Sequence, residues 1–227
     1  MDARPLAILA TAMALVVAVG SPALAEGRNF AYTYGYAAEP AGGFGIELRG
    51  DFDREPGGRA ELGYGVTDQL SVGVKANVVQ ATGLDALSLE GAARFAKAGQ
   101  WPVDTGLVVE LERPMAGGGP LDLQGILVLE KDLGKFVSDG NLVLGGALAP
   151  GGPRYGASWG LGYRVNAAIE PGIQVVYGDT ELEDAYGNAL FGGASVKASV
   201  GHTSAIGGLL FGGGNEIRGT LVLDEEF

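Results

Sequence analysis

The chain has 227 residues, 15 basic and 27 acidic side chains, a net charge of −12 and no cysteine. That composition excludes disulfides, thiol catalysis and zinc–thiolate sites, and its negative surplus argues against nucleic acid as a partner. Glycine supplies 41 residues against an ordinary share of ~7%, yet 47% of the chain is hydrophobic, too apolar for a disordered glycine-rich chain; a sheet closed on itself accommodates both.

In chain order, residues 1–25 read as a cleaved signal peptide. Arg4 precedes the apolar run Leu6–Gly20, and "SPALA" places Ala23 and Ala25 at the small-residue cleavage positions. The run is shorter than the ~20 residues a spanning helix needs. Cleavage is expected before Glu26, leaving an extended N-terminal segment over 26–42 and a β-barrel over 43–227. Within that segment Phe30, Tyr32, Tyr34 and Tyr36 alternate onto one face. It is expected to lie extended on the periplasmic side or to enter the lumen and narrow it.

From Gly43 onward the period is two. In "LSVGVKANV", Leu70, Val72, Val74, Ala76 and Val78 share one face, and Ser71, Gly73, Lys75 and Asn77 the other. Twelve such runs follow, at about 43–52, 58–67, 69–79, 85–97, 102–112, 121–131, 135–148, 154–165, 168–179, 189–200, 204–213 and 216–227. Each approximates the 9–11 residues a tilted strand needs to cross a bilayer. The links "TDQ", "KAGQ", "DLGK", "NAA" and "GHTS" are tight, whereas "DREPGG", "RPMAGGGP", "APGGP" and "DTELEDAYGN" are longer or richer in Pro and Gly. Short periplasmic turns and longer outer loops are the pattern of an outer-membrane barrel. The expected fold class is all-β: a transmembrane antiparallel up-and-down barrel of about twelve strands. A soluble barrel or sandwich would instead bury the apolar face in a shared core.

Arg or Lys on the lipid face costs roughly 2–4 kcal/mol each near the midplane, so the polar parity must face inward. Candidate lumen-lining residues are Glu47, Arg49, Arg59, Glu61, Lys75, Glu90, Arg94, Glu110, Arg154, Arg164, Glu170 and Lys197. Aromatics on the outward parity form two girdles: Phe52, Tyr155 and Tyr177 at the outer rim, and Phe44, Tyr64, Phe95, Phe136, Tyr163 and Phe227 at the other. Inside, cross-strand pairs such as Arg49 with Glu61 and Lys75 with Glu90 can fill and stiffen the bore. Inward glycines, among them Gly45, Gly63, Gly65, Gly106, Gly160 and Gly172, leave room in it or relieve strand curvature. Two functions therefore stand: a passive channel for small solutes with a mild cation preference, or a non-conducting structural or adhesive barrel.

The last strand, "EIRGTLVLDEEF", alternates Ile217, Gly219, Leu221 and Leu223 with Phe227 on one face. It resembles the C-terminal signature by which bacterial outer-membrane barrels engage their assembly machinery, with Leu221, Leu223 and Phe227 as the signal residues. Glu225 departs from it, standing where such strands carry a hydrophobic residue. The phrases "GFGIELRGDF", "ELGYGVTDQLSVGVKANV", "LDLQGILVLEKDLGKF" and "ASWGLGYRVNAAIEPGIQVVY" resemble small Gram-negative outer-membrane transporters of the phenol-degradation MetA-pathway type. That resemblance implies transport of small solutes across an outer membrane, with lipid and lipopolysaccharide as surroundings.

"GASWG" (156–160) matches G-x-S-x-G, but that motif needs a strand, a sharp turn, a helix and a nearby histidine. Ser158 falls mid-strand, and the only histidine, His202, falls in a turn; no enzyme activity is expected. One histidine cannot build an ordinary metal site. The acidic loop with Asp179, Glu181, Glu183 and Asp184 lacks the order of a calcium loop, so no metal or cofactor is expected.

Overall fold

A computed structural model describes residues 29–36, 39–52, 56–115, 117–148, 152–178, 190–212 and 216–227. The signal peptide, the 1–25 boundary and the acidic loop at 179–184 lie outside the described residues.

Alternating side chains force each run into extended backbone, and the runs become twelve strands: β1 (Phe44–Phe52), β2 (Gly57–Thr67), β3 (Leu70–Val79), β4 (Gly83–Arg94), β5 (Asp104–Pro114), β6 (Asp122–Leu133), β7 (Phe136–Ala147), β8 (Arg154–Tyr163), β9 (Ile169–Gly178), β10 (Leu190–Val200), β11 (Thr203–Gly212) and β12 (Glu216–Glu226). Each pairs antiparallel with its neighbour in sequence, and β1 pairs with β12 from Gly45↔Glu226 to Phe52↔Gly219. Closure leaves no sheet edge, so the ladder satisfies the backbone groups that a bilayer cannot. This is the twelve-stranded transmembrane up-and-down barrel that the alternation predicts.

Exposure follows parity. In β3, Leu70, Val72, Val74 and Val78 are exposed while Ser71 and Lys75 are buried. The girdle aromatics are all exposed, and two of them pair across strands: Phe44 with Tyr64 at 4.9 Å and Phe136 with Tyr163 at 5.1 Å between centroids.

The two rims differ in their links. At the rim carrying Phe227, the β2–β3, β6–β7 and β10–β11 connections are two-residue turns. In one of them Gly134 takes φ +78° and donates its N–H to Asp132 Oδ1 at 2.7 Å. The β4–β5 link, expected to be the tight "KAGQ", instead runs over 95–103. Its reason lies inside the barrel: Ala96 is turned inward and buried, and its carbonyl accepts the phenol O–H of Tyr36.

Candidate functional site: the occupied lumen

Residues 29–36 and 39–43 reach the bore from the short-turn rim. Gly42, at φ +82°, donates to the Gly65 carbonyl at 2.7 Å as the chain turns into β1. Preceding it, Glu39 lies against Gly45 and Gly63, and Pro40 against Gly65. The segment then runs deeper into the bore through Tyr36 and Tyr34. It is not the continuous extended stretch expected: Phe30 bridges to Thr33, with a turn at Ala31–Tyr32. Phe30, Ala31, Tyr32, Thr33 and Tyr36 are each at most 4% exposed.

Opposite walls receive this turn. Ala31 and Tyr32 pack with Val176, Phe191, Ile206, Leu210 and Val222 from β9–β12. Tyr34 packs with Val108, Ile126, Val128 and Val143 from β5–β7. The ring of Phe30 lies where side chains on Gly160 and Gly172 would stand, 2.5 and 2.7 Å from their Cβ positions. Tyr36 similarly fills space beside Gly106, 3.6 Å from its Cβ position. The room left by several inward glycines is thus taken by the chain's own N-terminal segment.

Wall side chains also bind its backbone. Glu130 Oε2 accepts from Tyr36 N at 2.9 Å, Asn141 Oδ1 accepts from Tyr34 N at 2.7 Å, and Gln174 Oε1 accepts from Tyr32 N at 3.3 Å. Asn141 Nδ2 donates back to the Tyr34 carbonyl at 3.1 Å. Asn29 Nδ2 donates to Asp139 at 2.9 Å and to Glu130 at 3.4 Å, so Glu130 holds both ends of the turn. Each tyrosine also faces one cation: Tyr32 faces Arg49 at 4.8 Å, Tyr34 faces Lys75 at 5.2 Å and Tyr36 faces Arg94 at 5.6 Å. Contacts of that length are favourable by about 0.5–2 kcal/mol. Burial raises the Tyr32 phenol well above its ordinary pKa, so it stays neutral.

The twelve candidate residues lie on the parity opposite the exposed aliphatic set. Arg49, Lys75, Glu110 and Lys197 are buried; Glu47, Arg59, Glu61, Glu90, Arg94, Arg154, Arg164 and Glu170 are half-buried. Lys75 is the densest meeting point. Its Nζ contacts Glu90, lies 2.9 Å from Glu110 and 3.6 Å from Glu61, and donates to the Tyr34 hydroxyl at 2.8 Å. Lys75 meets Glu90 diagonally, since its direct register partner is Ser88. The β1–β2 register sets Arg49 opposite Arg59 and Glu61 opposite Glu47, rather than Arg49 opposite Glu61. Arg49 Nε is instead held by Asp51 on its own strand at 2.9 Å. Arg154 pairs with Asp122 at 2.9 Å, and Arg164, just beyond β8, with Glu170 at 3.3 Å.

Two cavities flank the segment. One of about 410 Å³ opens at the short-turn rim, where Arg94, Arg164 and Lys197 face Glu130, Asp132 and Glu170. The other, about 90 Å³, is lined by Glu39, Glu47, Glu61, Glu90, Asp224 and Glu226, with no basic side chain in its lining.

The terminal-strand residues Leu221 and Leu223 are half-buried, and Phe227 is 69% exposed. Glu225, the departure from the terminal pattern, accepts from Thr203 Oγ1 at 2.6 Å. Ser158 sits mid-strand in β8 with its Oγ 3.3 Å from Asn141 Oδ1, and His202 lies in the β10–β11 turn. The strand–turn–helix setting of a nucleophile elbow does not occur there.

Asn141 and Gln174 escape a reading by charge and carry no other signal, whereas the apolar wall residues Ile126, Val128, Val176 and Val222 do carry one. Their signal is a local failure of alternation. "ILVL" at 126–129, "VV" at 175–176 and "LVL" at 221–223 are apolar on both faces, and a barrel needs apolar side chains inside only where something apolar meets them.

No protein-family model matches the sequence, and no curated protein matches it. Solved structures do. The KdgM porin in complex with disordered oligogalacturonate superposes with a TM-score of 0.63 at 8% identity, covering 81% of this chain and 99% of that one. The COG4313 outer membrane channel from Pseudomonas putida F1 gives 0.61 at 14% identity, with 85% and 98% covered. The NanC porin gives 0.57 at 9% identity, with 79% and 97% covered. At these identities the likeness is one of fold: this chain has the architecture of twelve-stranded outer-membrane porins and channels.

Proposed function

We propose that the protein is a passive channel for small solutes in the outer membrane of a Gram-negative bacterium, its bore set by its own residues 29–36, 39 and 40. The observation that carries this reading is a closed barrel, apolar outside and charged inside, whose lumen holds a separate segment instead of a continuous side-chain core. The fold it shares with porins supports the same reading. In this proposal residues 1–25 are removed on export, and the barrel-assembly machinery engages Leu221, Leu223 and Phe227. The girdles then meet lipid and lipopolysaccharide.

The twelve candidate residues line the solute path, and the carboxylate-lined cavity supports a mild cation preference. Such a wall disfavours a polyanion like the oligogalacturonate of the KdgM complex. Kinship with transporters of the phenol-degradation MetA-pathway type rests on the four quoted strand-and-turn phrases and is part of the proposal. No catalysis enters it.

A second reading, a non-conducting structural or adhesive barrel, is favoured by how thoroughly residues 29–36 fill the bore. Single-channel recording of the mature chain (26–227) in a planar bilayer under a salt gradient separates the two. Steady openings with a cation-directed reversal potential support the channel, and a folded barrel that never conducts leaves the second reading.

A further inference from the structure

The walls around residues 29–36 are built to hold a peptide. Glu130, Asn141 and Gln174, on three different strands, aim their oxygens at the N–H groups of Tyr36, Tyr34 and Tyr32. These are every second residue of the segment, so its amides are held at alternate positions from several sides of the bore. Backbone hydrogen bonds of this kind give affinity with little dependence on side chains, while pockets for alternate residues give specificity. The pockets are also present: Gly160 and Gly172 cradle one ring, and Lys75 faces another.

The occupant does not use all that the wall offers. Gln174 is 1% exposed, and its Nε2 has no hydrogen-bond partner among the described residues. On the segment itself, Thr33 Oγ1 is likewise buried and unpartnered. Buried donors are ordinarily satisfied, so the segment fits this wall as a ligand with residual mismatches.

We propose that the inner wall of the barrel is a binding site for a short uncharged peptide with aromatic side chains at alternate positions, filled here in cis by residues 29–36. A free peptide of that chemistry takes the site when the segment leaves it. This goes beyond the channel reading and requires only the folded barrel. Tethering gives the segment an effective concentration of about millimolar order, so a free peptide competes poorly until the tethered contacts are weakened.

The test uses a fluorescent peptide with the sequence of residues 29–36, Asn-Phe-Ala-Tyr-Thr-Tyr-Gly-Tyr, and full-length mature barrel folded in detergent. Binding is followed by polarisation, with empty micelles as blank. The double variant Phe30→Ala/Tyr36→Ala weakens the hold of the segment while leaving every strand residue unchanged, and heat-shifted gel mobility verifies its folding. If it does not fold, Tyr36→Ala alone serves. The expected result is saturable binding at least about tenfold tighter to the variant than to the wild type, given the tethered competitor. Replacing every ring of the peptide by alanine should abolish it. No saturable binding to the folded variant, or equal binding of the ring-free peptide, overturns the proposal. Because binding is read without a bilayer, a barrel that takes the peptide but never conducts would count against the channel alone.

Discussion

The ring of Phe30 occupies the space of the side chain that Gly160 lacks, with its Cδ2 2.5 Å from where a Cβ would stand. A residue that precedes the barrel and a residue of β8 are thus a single packed unit. Gly160 cannot gain even a methyl group without moving the ring. The N-terminal segment is accordingly a part of the interior.

Gly160→Ala is expected to expel the Phe30 ring. Overpacking of this kind costs about 1–3 kcal/mol, and in a conducting barrel the loosened segment should raise single-channel conductance. A double-mutant cycle with Phe30→Ala, read by urea unfolding in detergent, should give a coupling of at least about 0.5 kcal/mol. Additive effects would show that the two residues do not share the space.

Lys75→Met leaves Glu61, Glu90 and Glu110 facing one another around an uncharged side chain. Removing one partner of a buried ion cluster costs about 3–5 kcal/mol, so the unfolding midpoint should fall sharply. Adding Glu110→Gln should restore part of the loss. An unchanged midpoint in Lys75→Met would mean that the cluster is hydrated and weak.

Selectivity should separate the carboxylates by their place in the bore. Glu47→Gln and Glu39→Gln, which change the carboxylate-lined cavity, are expected to move the reversal potential toward zero. Glu110→Gln, whose charge is largely offset by Lys75 at 2.9 Å, should move it less. Equal shifts from all three would contradict a path past the smaller cavity.

At the C-terminus, deletion of Phe227 should lower the amount of heat-modifiable barrel recovered from outer membranes while leaving refolding into lipid in vitro intact. Thr203→Ala removes the hydrogen bond to Glu225, for which about 0.5–1.5 kcal/mol is ordinary. It should lower stability without reducing assembly. If both changes impair assembly alike, Phe227 has no distinct signalling role.

The twelve strands, their faces and their antiparallel order follow from the sequence because each depends on near neighbours. A period of two sorts Leu70 from Ser71 whatever the distant chain does, and Lys75 or Arg49 cannot face lipid. The inward placement of the charged set was legible for the same reason. Its pairing was not, since alternation alone does not fix the β1–β2 register that sets Arg49 opposite Arg59. The β4–β5 link also read as a short turn, because its inward Ala96 is explained only by Tyr36, sixty residues earlier.

Of the two placements the sequence left open for the N-terminal segment, tertiary structure decided for the lumen. "NFAYTYGY" carries alternating aromatics, a local signal of extended backbone, and nothing local specifies the turn at Ala31–Tyr32. That turn exists because barrel closure brings Val108, Ile126 and Val143 to one side of the bore and Ile206, Leu210 and Val222 to the other. Between those walls a folded segment buries rings on both sides, whereas an extended one would leave one wall bare. Sequence alone could locate the glycines, but only the closed barrel could supply the ring of Phe30 that fills the space they leave.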